Sequence, residues 1–298
     1  MEPRFIADYA CHTGEGPLWH PDEQRVYWTD IPNGRLFRYD PQSGHHEICF
    51  QGEQVGGMTL QEDGALLLFM ERGAVKIWNG NDLTVVLDEI PDERETRFND
   101  VIADPAGRVF CGTMPTKDRP GRLYRLDTDG SIHLILENIG CSNGLGFTPD
   151  RKRMYYTDTT KREIYLFDYD QATGEITNQT LFVKTEEGGG WPDGMTVDVE
   201  GNVWSTRWDG GCMVEHSPEG KEMRRIAFPA QKVSSVAFGG PEYRDMYITT
   251  AGGHIKETDG ALAGTLFHLD LGVQGVAEFR SNIPAAKTAS PSFATAGP

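Results

Sequence analysis

A short-strand unit recurs six times along this chain, and that recurrence restricts the fold more than any other feature. Pro17-Leu18-Trp19-His20-Pro21-Asp22 leads into Arg25-Val26-Tyr27-Trp28-Thr29-Asp30, just as Leu145-Gly146-Phe147-Thr148-Pro149-Asp150 leads into Arg153-Met154-Tyr155-Tyr156-Thr157-Asp158. A third apolar run follows each, at residues 35–40 and 163–168. Related units begin near Ile102 and Met195, and weaker copies span residues 57–78 and 236–269. β-Branched and aromatic runs broken by Pro-Asp, Asp-Gly or Glu-Gly turns read as strands. Aligned on the start of their first strand, the units are anchored at Glu15, Gly57, Asn99, Asn143, Asp193 and Ser235, in steps of 42, 42, 44, 50 and 42 residues. Six copies of a three- or four-stranded unit at a period of roughly 40–50 residues predict an all-β, six-bladed β-propeller.

Radial packing of blades leaves few free strand edges, and the ring is expected to close by pairing the N-terminal strand with the last blade. No sustained 3.6-residue period supports a helical solenoid. One domain is expected over residues 1–283. Residues 284–298 read as a tail of Ala, Ser, Thr, Pro and Gly with little to bury.

The charge balance narrows the function. With 28 basic and 45 acidic residues the net charge is −17, which disfavours nucleic acid, whose phosphates call for a basic footprint, and anionic membrane surfaces. No run of 18 apolar residues is present, so no helix is expected to span a bilayer. The first residues lack the basic and apolar regions of a signal peptide. The five cysteines, Cys11, Cys49, Cys111, Cys141 and Cys212, are odd in number and widely spaced, as in a reduced, cytoplasmic protein. A complete propeller core needs no partner, so a monomer is expected.

The anchors carry the functional signal. In a propeller the first strand of each blade lines the central channel, so Glu15, Asn99, Asn143 and Asp193 should converge at its mouth. Each such residue alone is an ordinary turn former; their recurrence at one repeat position is the signal. Two carboxylates that close repel and raise each other's pKa. A divalent cation relieves the conflict, and an all-oxygen donor set suits Ca²⁺, Mg²⁺ or Mn²⁺ better than Zn²⁺. Arg97, two residues before Asn99, is either a ligand for substrate hydroxyls or a surface arginine. Trp191, after Gly188-Gly189-Gly190, is either an aromatic wall beside a mobile loop or a cover for a blade edge. Gly140-Cys141-Ser142-Asn143-Gly144 satisfies G-x-S-x-G, but a strand and a Pro-Asp turn follow where a nucleophile elbow needs a helix.

Six motifs give the chain a resemblance. Gly14-Glu15-Gly16-Pro17-Leu18-Trp19, Arg97-Phe98-Asn99-Asp100, Gly112-Thr113-Met114, Ser142-Asn143-Gly144-Leu145, Pro192-Asp193-Gly194-Met195 and Phe238-Gly239-Gly240 resemble, in order, those of the regucalcin (senescence marker protein)/gluconolactonase family of six-bladed propeller sugar lactonases. The likeness extends to about residue 272. It implies one divalent metal at the channel mouth held by Glu15, Asn143 and Asp193, with Ca²⁺ the first choice and Mg²⁺, Mn²⁺, Zn²⁺ or Fe²⁺ as alternatives. It further implies that Arg97 and Asn99 bind substrate, Asn99 helping at the metal, and that residues 115–119 form a variable lid. The expected activity is metal-dependent hydrolysis of a sugar (aldono-) lactone to its acid, the metal polarising the carbonyl. Asp193 either takes the proton of the attacking water or orients a water that the metal activates. Two other readings stand beside it: a non-catalytic calcium- or protein-binding propeller, and an aryl-ester or organophosphate hydrolase on the same site.

Overall fold

The computed structural model describes residues 2–286. Strand β1 (Arg4–Asp8) precedes the first blade, which comprises β2 (Gly14–His20), β3 (Arg25–Asp30), β4 (Arg35–Tyr39) and β5 (His46–Gln51). Blade 2 holds β6 (Val55–Leu60), β7 (Leu66–Met70), β8 (Val75–Trp78) and β9 (Leu83–Leu87). Blade 3 holds β10 (Phe98–Ala103), β11 (Val109–Thr113), β12 (Gly121–Leu126) and β13 (Ile132–Ile139). Blade 4 holds β14 (Ser142–Phe147), β15 (Arg153–Asp158), β16 (Glu163–Tyr169) and β17 (Ile176–Lys184). Blade 5 holds β18 (Trp191–Val197), β19 (Val203–Trp208), β20 (Cys212–His216) and β21 (Glu222–Ala227). Blade 6 contributes β22 (Val233–Gly239), β23 (Asp245–Thr250) and β24 (Thr265–Asp270), and β1 completes it by pairing antiparallel with β24. The six-bladed propeller and its closure by the N-terminal strand are as the repeat predicts.

Burial falls from the axis outward. All residues of β6, β14 and β22 are buried, whereas most of β17 and β21 is exposed. The apolar core is six clusters, one at each blade interface. Leu18 and Leu36 of blade 1 pack on Met58 and Leu68 of blade 2, for example, and Trp204 of blade 5 shares a cluster with Phe238 and Phe267 of blade 6. A sheet with both faces covered reads as a continuous apolar run rather than an alternating one, which is why Leu66-Leu67-Leu68-Phe69-Met70 is a strand.

Each innermost strand breaks register with its neighbour at the anchor. The shifts fall between Glu15 and Leu18, Val55 and Gly57, Phe98 and Val101, Asn143 and Leu145, Pro192 and Met195, and Val233 and Ser235. A bulge leaves one or two residues out of the ladder and re-aims side chains there. Counted from the paired residues on either side, Gly56 and Ser234, one residue before the anchors that the repeat gives for blades 2 and 6, stand level with Glu15, Asn99, Asn143 and Asp193.

Residues 272–283, after the last strand, stay packed on the propeller. They cross the far end of the propeller, at the C-terminal ends of the innermost strands. Val199 N–H donates to Gln274 O, Ser281 N–H to Leu60 O and Asn282 N–H to Gly107 O. Ile283 is buried against blades 2 and 3, and Phe279 packs on Phe147. Pro284 to Ala286 lie exposed on this path, and the remainder of the expected tail falls outside the described residues.

Candidate active site at the channel mouth

A cavity of about 430 Å³ opens at the N-terminal ends of the innermost strands and is lined by Glu15, Arg97, Asn99, Asn143 and Asp193 together. All five side chains singled out in the sequence therefore meet in one place. Glycine after three of the anchors has local causes. Gly16 sits at φ +52°, a region that favours glycine. A Cβ on Gly144 would lie 2.5 Å from Asp193 O, and one on Gly194 would lie 2.3 Å from Ser235 Oγ. Neighbouring blades could not approach so closely with any side chain there.

Hydrogen bonds tie the donors into a chain. Arg97 Nη1 donates to Asn99 Oδ1 (2.7 Å), Asn99 Nδ2 to Asn143 Oδ1 (2.9 Å), and Asn143 Nδ2 to Thr159 Oγ1 (2.9 Å). Thr159 Oγ1 then donates to Pro192 O at 2.7 Å, next to Asp193. Both recorded bonds of Arg97 use Nη1, the other going to Phe98 O, so the rest of its fork remains for a ligand. The loops behind the anchors are pinned by buried aspartates at the ends of the second strands. Asp30 accepts Thr13 N–H, and Asp158 accepts Gly140 N–H and Cys141 N–H.

The electrostatics are unbalanced. Burial, with Asp100 nearby, pushes Glu15 up to about 8, against the Gly16 N–H and Arg97. Asp193 is raised well above the carboxylate range by burial, by Glu15 and by Asp100, with Arg97 and Arg207 opposing. Burial in turn lowers the pKa of Arg97. Two buried carboxylates with Arg97 as the one arginine on the cavity wall make a set that a divalent cation would balance. The remaining donors fit: the Asn99 and Asn143 carbonyl oxygens each accept one recorded bond and have a second lone pair. An oxygen-only set is the chemistry of a hard cation.

Most of the chain has relatives. Residues 13–252 match the profile of the SMP-30/Gluconolactonase/LRE-like region. The chain belongs to the SMP-30/gluconolactonase/LRE-like family. Pentonolactonase XacC of Haloferax volcanii is 48% identical to it over 288 residues, covering 93% of this chain and 97% of that protein. The 6-deoxy-6-sulfogluconolactonase of Pseudomonas putida is 34% identical over 271 residues, covering 89% and 93%. Among solved structures, the regucalcin of Agrobacterium tumefaciens superposes with a TM-score of 0.86, covering 93% of this chain and 96% of that one; at 23% identity it speaks for the fold alone.

Other motifs of this family member have settled places. Trp191 lines the cavity, with the Arg162 guanidinium 4.2 Å from its ring centroid. The triple glycine serves close packing: a Cβ on Gly190 would lie 2.7 Å from Gly210. Within the expected lid only its preceding residue, Met114, lines the cavity. Residues 115–119 turn back instead, Thr116 N–H donating to Arg119 O and Arg119 pairing with Glu93 at 2.6 Å. Ser142 of the G-x-S-x-G string is fully buried and its Oγ accepts the Tyr156 hydroxyl, so it is a strand residue. Sequence reasoning missed Thr13, Cys141, Thr159, Trp208 and Asp209, which also line the cavity. The available signal was the end of each second strand: Thr159 follows β15, and Trp208 and Asp209 sit at the end of β19 as Asp30 does at the end of β3.

Proposed function

We propose that the chain hydrolyses an aldonolactone, a pentonolactone in the first instance, to the open-chain sugar acid, with a divalent cation held by Glu15, Asn143 and Asp193 and assisted by Asn99. It is a sugar lactone hydrolase by family, and its likeness to the pentonolactonase spans nearly all of both chains. The observation that carries the reading is the convergence of two carboxylates, two carboxamides and one arginine in a single buried-walled cavity. Ca²⁺ is the cation we assign first, from the oxygen donors; the Agrobacterium regucalcin is itself described as a calcium-binding protein.

The bound cation would polarise the lactone carbonyl and stabilise the charge that develops on its oxygen. The chain's own residues supply the rest. The Asp193 carboxylate, without a hydrogen-bond partner among the described residues, faces the cavity and is the group placed to take a proton from the attacking water. Arg97, through its free fork edge, and Asn99 hold ring hydroxyls, which orients the carbonyl without taking part in bond making. Trp191 and Trp208 close two sides of the cavity and limit water.

The test is proton release in weak buffer with an indicator, over glucono-, galactono-, xylono- and arabinono-lactones. Chelated protein is restored separately with Ca²⁺, Mg²⁺, Mn²⁺, Zn²⁺ or Fe²⁺, and spontaneous opening is subtracted. Metal-dependent acceleration, greatest on a pentonolactone, is the expected result. Folded, metal-loaded protein that accelerates none of them would refute the reading and turn attention to aryl esters and phosphotriesters, then to a binding role.

A further inference from the structure

Buried polar atoms without a partner are few in native proteins, and each calls for a cause. Five such side-chain atoms occur among the described residues: Trp19 Nε1, Thr157 Oγ1, Thr185 Oγ1, Arg207 Nε and His216 Nδ1. Three of them, on Thr185, Arg207 and His216, wall one cavity of about 210 Å³ between blades 4 and 5. They come from separate places in the chain: Thr185 follows β17, Arg207 lies in β19 and His216 ends β20. The cavity is distinct from the catalytic one, with no lining residue in common.

The charge pattern selects the ligand. Arg207 is 2% exposed, and its Nη1 donates to Ser205 O, Ser205 Oγ and Thr206 O. Among the described residues no carboxylate lies within ion-pair reach of it. The other cations at the cavity are already matched, Arg225 with Glu222 and Lys184 with Glu163. Glu186, also on the cavity wall, is exposed and turned to solvent. Arg207 is thus a buried guanidinium without an ion pair, on which Glu222 and Asp193 act only from beyond ion-pair distance, an expensive arrangement. Water would satisfy its Nε–H but not its charge. An arginine can only donate, a threonine hydroxyl can donate, and neutral imidazole donates from Nδ1 in one tautomer. Three unpartnered donors on residues that wall one cavity, beside a buried guanidinium without an ion pair, favour an acceptor that is an anion.

We propose that this interblade cavity is a binding site for a small tetrahedral oxyanion, of the kind of sulfate or phosphate, with Arg207 as its counter-charge and Thr185 and His216 as further donors. Nothing in the proposal depends on the lactonase reaction.

Sulfate is the probe, since phosphate would precipitate calcium. Metal-loaded protein is melted in increasing sulfate at constant ionic strength, with chloride as the balancing anion, and crystals are soaked in selenate for anomalous diffraction. The expected result is a saturable rise in Tm specific to sulfate, and a selenate peak within hydrogen-bond distance of Arg207. Arg207→Met should weaken sulfate binding by about tenfold or more and abolish the peak. Should that variant fail to fold, Thr185→Val and His216→Phe carry the test: each should weaken sulfate binding severalfold while lactone turnover stays within about twofold. The proposal falls if sulfate raises Tm no more than chloride. It falls equally if the rise is the same in wild type and the variants, or if selenate is found only at the channel mouth.

Discussion

Replacing Thr159 by valine removes one hydroxyl and keeps the shape of the side chain, so its consequences isolate the hydrogen-bond chain at the channel mouth. The hydroxyl accepts Asn143 Nδ2 at 2.9 Å and donates to Pro192 O at 2.7 Å. It therefore joins the first strand of blade 4 to the first strand of blade 5, one residue before Asp193. Each such bond contributes about 1 kcal/mol net, and Thr159 is only partly buried, so the loss in stability is about 2 kcal/mol, a fall in Tm of roughly 3–6 °C. Activity should suffer more than stability. Asn143 loses what holds its amide, and removal of a partner that orients a metal-binding side chain typically costs about 10–100-fold. The measurement is kcat/KM on the preferred lactone with a calcium titration of the same protein, alongside thermal melts. Thr159→Ser keeps the hydroxyl and should restore most of both. Valine variants with kcat/KM within about twofold of wild type would refute the reasoning, as would a serine variant as impaired as valine.

The remaining predictions address the base, the supporting shell and the channel floor. Asp193→Asn should lower kcat by about 10³-fold or more with Tm unchanged or raised in metal-free protein, because the cost of burying an ionisable carboxyl beside Glu15 is removed; residual turnover above about a tenth of wild type would take Asp193 out of the base role. Asp158→Ala leaves Gly140 N–H and Cys141 N–H without their acceptor and should cost about 2–4 kcal/mol by urea denaturation, with weaker calcium binding as Asn143 shifts; a loss below about 0.5 kcal/mol would count against this account of the loop. Glu278, on the strap beneath the channel, is raised to about 7 by burial first and Asp100 second. Its folded pKa lies above its unfolded value, so the stability it contributes is complete below about pH 4.3 and is lost as pH rises through about 7. Glu278→Gln should therefore flatten the decline in Tm between about pH 4.5 and 7, and parallel wild-type and variant curves would contradict that environment for Glu278.

Much of this was legible in the sequence, for physical reasons that differ from residue to residue. The blades were visible because each repeats one solution to burying a sheet on both faces, and turns such as Pro149-Asp150 punctuate it. Glu15, Asn99, Asn143 and Asp193 were visible because a shared position in the repeat means a shared height on the axis. Arg97 was ambiguous alone and is placed by its bond to Asn99. Thr159 was signalled only by its place just after a second strand, since its role depends on a contact with Pro192 in the next blade, 33 residues away. The strap was missed for a different reason. Residues 272–283 have no periodicity of their own, and what orders them is the backbone carbonyls of Leu60, Gly107 and Val197 at the channel's far end, which accept their N–H groups. Arg207 gave no signal either, because an arginine within Val203-Trp204-Ser205-Thr206-Arg207-Trp208 reads as an edge-strand cation until its burial is known.

One backbone device explains why the site has four donors when the ring has six positions. The bulge at each anchor repeats around the axis, and if every blade used it alike the channel would be filled by six side chains. Blade 2 cannot, because its residue at that level is Gly56, where a Cβ would sit 2.0 Å from Phe98 O. Blade 6 places the short Ser234 there, its hydroxyl hydrogen-bonded to Gly14 O and Thr249 Oγ1. The two small positions leave space on the axis, and the four long ones reach into it from two sides: Glu15 from blade 1, and Asn99, Asn143 and Asp193 from three consecutive blades. An open side is what a catalytic cation needs, since a site closed by protein donors all round holds its metal but offers substrate no place on it. The departure from six-fold symmetry at Gly56 and Ser234 is thus as much a part of the proposed active site as the residues that carry oxygen.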